Sequence, residues 1–166
     1  RSLCPKGCVG SSPTRRTNKL GIGTNMSEMS ETERDIFVTD VRIAVLAIQR
    51  QQKGPLCAPV WYRYSSASGF QIPMANESAK ALLLRRHGFA TLCVQDEKLP
   101  YRYVTAEGPV ELKTLNEAER YEAIKDIASR YLGNVAGKSY ADTFPDHDEA
   151  LVTLTPRNWN SNILGN

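Results

Sequence analysis

Met74-Ala-Asn-Glu-Ser-Ala-Lys80 joins a strand-like run to a helical one, and the fold turns on how it is read. Upstream, residues 70–74 are short and apolar, preceded by Gly69, and read as a strand. Downstream, residues 77–86 read as a short helix, with Asn76 as its N-cap and Gly88 just past its end. A helix N-terminus carries unpaired N–H groups and partial positive charge, so it is a ready site for phosphate. Its first turn here adds an amide (Asn76), a hydroxyl donor (Ser78) and a cation (Lys80). Arg85 and Arg86 follow one to two turns on, and one of them could reach the same anion. Met74 would rest against whatever the phosphate carries. Taken alone, these residues fit a plain helix start, with a capping Asn76 and a solvated Lys80, better than a ligand site.

The flanking segments are rich in strands. Residues 31–40 predict a short helix capped by Thr32, with Ile36 and Phe37 facing inward. Strands follow at 42–48 and 56–64, separated by a turn at 49–55 around Gly54 and Pro55. A small-residue hairpin at 65–69 leads into the third strand. Beyond the junction, residues 89–95 form a fourth strand and 100–112 a long fifth one, bending at Gly108-Pro109. Thr114 and Glu117 form a capping-box pair for a helix. Its apolar positions are Leu115, Ala118, Tyr121, Ile124, Ala128 and Tyr131, and Gly133 closes it. Residues 134–148 read as an acidic loop, and 150–155 as the last strand. Six strands that do not alternate with helices exclude a doubly wound parallel sheet and predict a mainly β fold with short helices: a six-stranded antiparallel split β-barrel.

At 166 residues, 41% hydrophobic and 23% charged, a single domain is expected. No apolar run approaches the ~18 residues of a membrane span. The net charge of +3 is misleading, because residues 1–25 hold five bases and no acid. The remainder has 16 bases against all 18 acids, so a nucleic-acid partner is not expected. Residues 1–25 are expected to be a disordered, non-native basic extension, with the natural start at Met26 or Met29 and the domain spanning 26–166. Cys57 and Cys93 lie in apolar runs and read as small buried hydrophobes. With free thiols and no signal peptide in view, a reducing cytoplasm is the expected setting. His87 and His147 are far from any cysteine pair, and no zinc spacing exists.

The ordered set of local words resembles the pyridoxamine 5′-phosphate oxidase-like family, split barrels that bind flavin or deazaflavin coenzymes. The words are Arg42-Ile-Ala-Val-Leu-Ala47, Pro55 through Pro59-Val-Trp-Tyr62, Ser78-Ala-Lys80, Pro100-Tyr-Arg-Tyr-Val104, Glu107-Gly-Pro109 and Leu154-Thr-Pro-Arg-Asn-Trp159. The resemblance implies that Ser78 and Lys80 bind the coenzyme phosphate. It implies that the backbone of Ala58, Pro59, Val60 and Trp61 lies along the ring edge. A Thr often stands four residues before the Ser; here it is Met74, which leaves FMN and the deazaflavin coenzyme both open, with FMN the expectation. Asn76 and Arg85 complete the expected anion pocket.

The resemblance further implies a homodimer with coenzyme sites at its interface, and Trp159 is expected to cross to the partner's pocket. In such an oxidoreductase the coenzyme carries the chemistry, so no catalytic side chain is named and the substrate is an unidentified small organic acceptor. Arg102 and Tyr101 could reach a substrate, although a salt bridge is the stronger reading for Arg102. The absence of a second basic cluster argues against pyridoxamine phosphate as substrate. Two further classes remain: a non-enzymatic flavin, haem or tetrapyrrole binder with His87 or His147 as axial ligand, and a bare structural dimer.

Overall fold

A computed structural model describes residues 26–145 and 148–165. The expected tail at 1–25 and His147 lie outside the described residues. The first strand, β1 (Met26–Ser27), leads into α1 (Glu31–Thr39). Ser30, not Thr32, is the cap of α1: its hydroxyl accepts from the Glu33 amide, and the Glu33 carboxylate accepts from the Ser30 amide. The buried face of α1 is Phe37 and Val38, and Ile36 is 61% exposed, which corrects the expected inward Ile36.

Two strands, β2 (Ala44–Arg50) and β3 (Lys53–Val60), pair as a tight hairpin around Gln51 and Gln52. Gln52 takes a positive φ of 56°, so the turn needs no glycine, and Gly54 and Pro55 fall inside β3 instead of the expected turn. Pro55 is tolerated because β3 is the sheet edge. The chain breaks at Trp61 and Tyr62 before β4 (Arg63–Ser65), which pairs with β5 (Gly69–Ala75). Then come α2 (Ala79–His87), β6 (Phe89–Asp96) and β7 (Tyr101–Thr114). Next are α3 (Glu117–Leu132), α4 (Asn134–Thr143), β8 (Glu149–Leu154) and β9 (Asn158–Leu164).

The described residues thus hold nine strands where six were expected, in one antiparallel sheet ordered β3-β2-β6-β7-β8-β5-β4, with β9 joining β7 to β1. The fold is mainly β with short helices, as expected; the strand number is corrected from six to nine, and the hydrogen-bonded path does not close on itself. The long strand β7 makes the split. Its first half lies between β6 and β9; from Val110 to Thr114 it pairs with β8. The exchange falls at Gly108-Pro109. A Cβ on Gly108 would lie 1.9 Å from the Thr155 carbonyl oxygen, so only glycine permits the crossing. The inward faces of both wings meet in one core: Ala44, Leu46 and Ile48 of β2, Leu92 and Val94 of β6, Phe70 and Ile72 of β5, and Val152 and Leu154 of β8.

Three sequence expectations about helices are corrected. Thr114 still pairs with Ala150, so the cap of α3 falls to Asn116, which exchanges hydrogen bonds with Glu119 at 2.9 and 3.2 Å. Its buried positions are Ala123, Ile124, Ile127 and Ala128, while Ala118 is exposed and Leu115 precedes the helix. The expected loop after Gly133 is instead α4. Gly137 lets it lie directly on α3, for a Cβ there would come within 2.4 Å of the Ser129 backbone. Cys57 is exposed and Cys93 half-buried, not a buried pair.

Candidate functional site

On β8 the residues Ala150, Val152 and Leu154 point to the core, so Glu149 projects from the opposite face. Pro73 and Ala75 of β5 share that face, in register with Leu151 and Glu149. The buried stripe of α3 covers it incompletely. What remains is a cavity of about 320 Å³, at the small end of the range for small-molecule sites. Pro73, Ala75 and Glu149 form its floor, and Ile124, Ile127 and Ala128 of α3 its roof. Tyr140 of α4 and Phe144 just after it also line it. Pro59, Val60, Trp61 and Met74 contribute from the strands, and Ser78 and Lys80 from the start of α2.

The start of α2 shows why Ser78 and Lys80 reach this cavity. Ser78, not Asn76, is the N-cap, its hydroxyl oxygen accepting from the Ala81 amide at 3.2 Å. The hydroxyl hydrogen remains available to donate. The first intrahelical bond runs from the Leu82 amide to the Ser78 carbonyl, so the amides of Ala79 and Lys80 have no partner within the helix. At its other end Gly88, at φ 64°, closes the helix behind Arg85, Arg86 and His87.

Asn76 and Arg85 occupy a different place. Asn76 is 8% exposed; its side-chain amide donates to Asp148 at 2.8 Å and to Thr114 at 3.4 Å. The Arg85 guanidinium donates to the Asn76 backbone carbonyl at 2.6 Å and to its side-chain oxygen. Together they bolt the β5–α2 turn to the beginning of β8, and neither lines the cavity. Ala58 pairs with Leu46 within the sheet and is likewise outside it. Trp159 packs in its own chain, edge-on to Tyr64, tilted against Phe70, with the Arg34 guanidinium 4.3 Å from its ring centroid. Arg102 forms an ion pair with Asp96 at 2.7 Å, the structural reading of the two offered above.

An aromatic ladder supports Trp61. Tyr131 of α3 stacks on it at 4.8 Å and 8°, and the Tyr140 ring lies tilted at 49°, 5.8 Å away. The Tyr131 hydroxyl donates to the Arg42 carbonyl at 2.8 Å and accepts from the Tyr62 amide at 3.1 Å, which fixes the chain where β3 ends. Burial pushes the Tyr131 phenol up from its ordinary pKa. The neighbouring Tyr62 phenol, fully buried and donating to the Val38 carbonyl at 2.9 Å, is pushed up to about 12, chiefly by burial. Arg130 donates to the Thr39 and Asp40 carbonyls, both at 2.5 Å, so α3 is held to the C-terminal end of α1.

Sequence reasoning missed the lining from α4 and its C-terminal end, and the buried acid. Tyr140 and Phe144 were hidden in a presumed loop, although their spacing of four fits a helix face. Glu149 has no motif around it, and only the register of β8 against β5 reveals which face it takes.

No family model matches the sequence, and no curated protein matches it. Solved structures do. The chain is similar to a conserved hypothetical protein from Mycobacterium tuberculosis, at 23% identity and a TM-score of 0.66, covering 80% of this chain and 84% of that one. It is similar to an FAD-binding protein from Mesorhizobium loti, at 16% identity and a TM-score of 0.62, covering 84% and 99%. A third counterpart is an F420 reductase, at 16% identity and a TM-score of 0.53, covering 75% and 94%. What is shared is the fold, that of the pyridoxamine 5′-phosphate oxidase-like split barrels, which the sequence resembles.

Proposed function

We propose that this chain is a flavin-type oxidoreductase that holds its coenzyme in the cavity between β5, β8 and the α3–α4 hairpin. One observation carries the reading: Ser78 and Lys80, at a helix N-terminus with two amides unpartnered within the helix, line the same cavity as Pro59, Val60 and the braced Trp61. The residues fit a phosphorylated ring. The Ser78 hydroxyl, the Ala79 and Lys80 amides and the Lys80 ammonium offer donors and positive charge to a phosphate. Trp61, Ile124 and Ile127 offer apolar surface to a ring system. When bound, the coenzyme would supply the hydride or electron transfer to a small organic acceptor. The chain's own contribution is binding, orientation and exclusion of water, and no side chain is assigned a catalytic step.

FMN is the expected coenzyme. The deazaflavin coenzyme is the second reading, favoured by Met74 in the place of a hydroxyl and by the shared fold of an F420 reductase. The haem alternative draws less support, because no histidine among the described residues lines the cavity. A homodimer in a reducing cytoplasm completes the proposal. Unpaired backbone along the edge of β3, beside exposed Ile43 and Val45, supports the dimer. No helix among the described residues is long and apolar enough to cross a membrane. The test is side-by-side equilibrium binding of FMN and the deazaflavin coenzyme. Binding of one at micromolar concentration or below supports the proposal, and binding of neither removes it.

A further inference from the structure

Glu149 is 4% exposed and lines an otherwise mostly apolar cavity, where it brings a carboxyl group with several acceptor sites. Its position along the cavity is defined by register. Arg63 pairs with Gln71, two residues before Pro73 on β5, and Trp61, two residues before Arg63, lines the cavity together with Pro73. Glu149 faces Ala75, two residues further along β5 and about 7 Å on. The Ala75 carbonyl then accepts from the Ser78 amide at 3.0 Å, which turns the chain into α2. Along β5 the order is therefore aromatic wall, buried carboxylate, anion-binding helix mouth.

We propose that Glu149 accepts hydrogen bonds from a hydroxyl-bearing chain that joins the ring of the bound molecule to its phosphate. The cavity thereby selects ring phosphates with a polyol linker. This rests on the coenzyme reading above, and it adds the residue that reads the middle of the ligand. Glu149 has an interaction within the chain, but a carboxylate offers about four lone-pair sites and can accept from more than one donor. An alkyl linker offers no donor to the remaining acceptor sites of the carboxylate, so the same group that favours hydroxyls favours an alkyl chain less. Both FMN and the deazaflavin coenzyme carry a ribityl linker, so the inference does not depend on which is bound.

The experiment compares lumiflavin (ring alone), riboflavin and its 5-deaza analogue (ring and polyol) and FMN against wild type, Glu149→Leu and Glu149→Gln, with unfolding midpoints recorded. Glu149→Leu is expected to weaken the polyol-bearing ligands by about tenfold or more, the loss of a hydrogen bond to a charged group. Glu149→Gln is expected to weaken them less, and lumiflavin is expected to bind all three proteins equally. Equal losses for lumiflavin and riboflavin, or no loss for riboflavin, would overturn the inference while leaving the coenzyme site standing. Should the leucine variant not fold, a selective riboflavin loss in the glutamine variant supports the inference and its absence overturns it. If wild type binds none of the ligands, both this inference and the coenzyme reading fall.

Discussion

The indole of Trp61 and the phenol of Tyr131 lie 4.8 Å apart with planes 8° from parallel, and they link the end of β3 to the helix that roofs the cavity. Trp61, just past the end of β3, lines the cavity together with Tyr140 and Phe144. Its position depends on α3, an element far away in sequence. A face-on pair of this kind adds about 0.5–1.5 kcal/mol beyond burial. Its larger effect is to hold the chain where β3 stops and β4 begins.

Tyr131→Phe should separate the stack from the hydrogen bonds. The ring remains, but the Tyr62 amide loses its acceptor at 3.1 Å and the Arg42 carbonyl its donor at 2.8 Å. The expected loss is about 1–3 kcal/mol in denaturant unfolding. Tyr131→Ala should lose more and shift tryptophan fluorescence to longer wavelength as Trp61 becomes hydrated. A phenylalanine variant as stable as wild type would refute the bracing role.

Asn76→Ala should act on stability first. It removes one of the two acceptors of Arg85, the other being the backbone carbonyl, and the donor to Asp148 at a site 8% exposed. The expected destabilisation is about 1–3 kcal/mol, measured by thermal or chemical unfolding. An unchanged unfolding midpoint would show that the bolt between β5 and β8 is not needed.

These two residues mark where the sequence was legible and where it was not. The junction itself, its strand, its helix and its cavity-lining Ser78 and Lys80 follow from local chemistry and the family resemblance. The assignment of the cap did not follow, because Asn76 and Ser78 have similar capping preference and tertiary contacts to Asp148 decide between them. Strand β9 was missed because Asn158, Asn160 and Asn162 are poor strand formers; Trp159, buried Ser161 and Ile163 alternate with them. Helix α4 was missed because it starts directly on Gly133 with no side-chain cap, so the stop signal of α3 concealed its beginning.

Gly137→Ala tests the roof. The added methyl would meet the Ser129 backbone at 2.4 Å, so α4 must move off α3. The expected result is about 1–3 kcal/mol of destabilisation and weaker ligand binding, because α4 carries Tyr140. Stability and affinity both equal to wild type would mean that α4 does not shape the cavity.

Stability should fall at high pH. The Tyr62 phenol has a folded pKa of about 12 against an ordinary 10.0, so folding favours its neutral form. Its contribution is complete below about pH 10 and is lost as the pH rises toward 12, about 2–3 kcal/mol in all. Tyr64 and Tyr131, also raised by burial, act in the same direction. Unfolding free energies at pH 8 to 12 should decline steeply in wild type and less steeply in Tyr62→Phe. Parallel declines would assign the effect elsewhere.

The most direct measurement is coenzyme affinity in Lys80→Ala beside wild type, with riboflavin as the phosphate-free control. The site described here predicts that FMN, or the deazaflavin coenzyme if that is the tighter ligand, loses about 1.5–3 kcal/mol of binding. Riboflavin binding and the unfolding midpoint should hardly change. Coenzyme affinity that is the same in both proteins would contradict the assignment of the α2 N-terminus as the phosphate site.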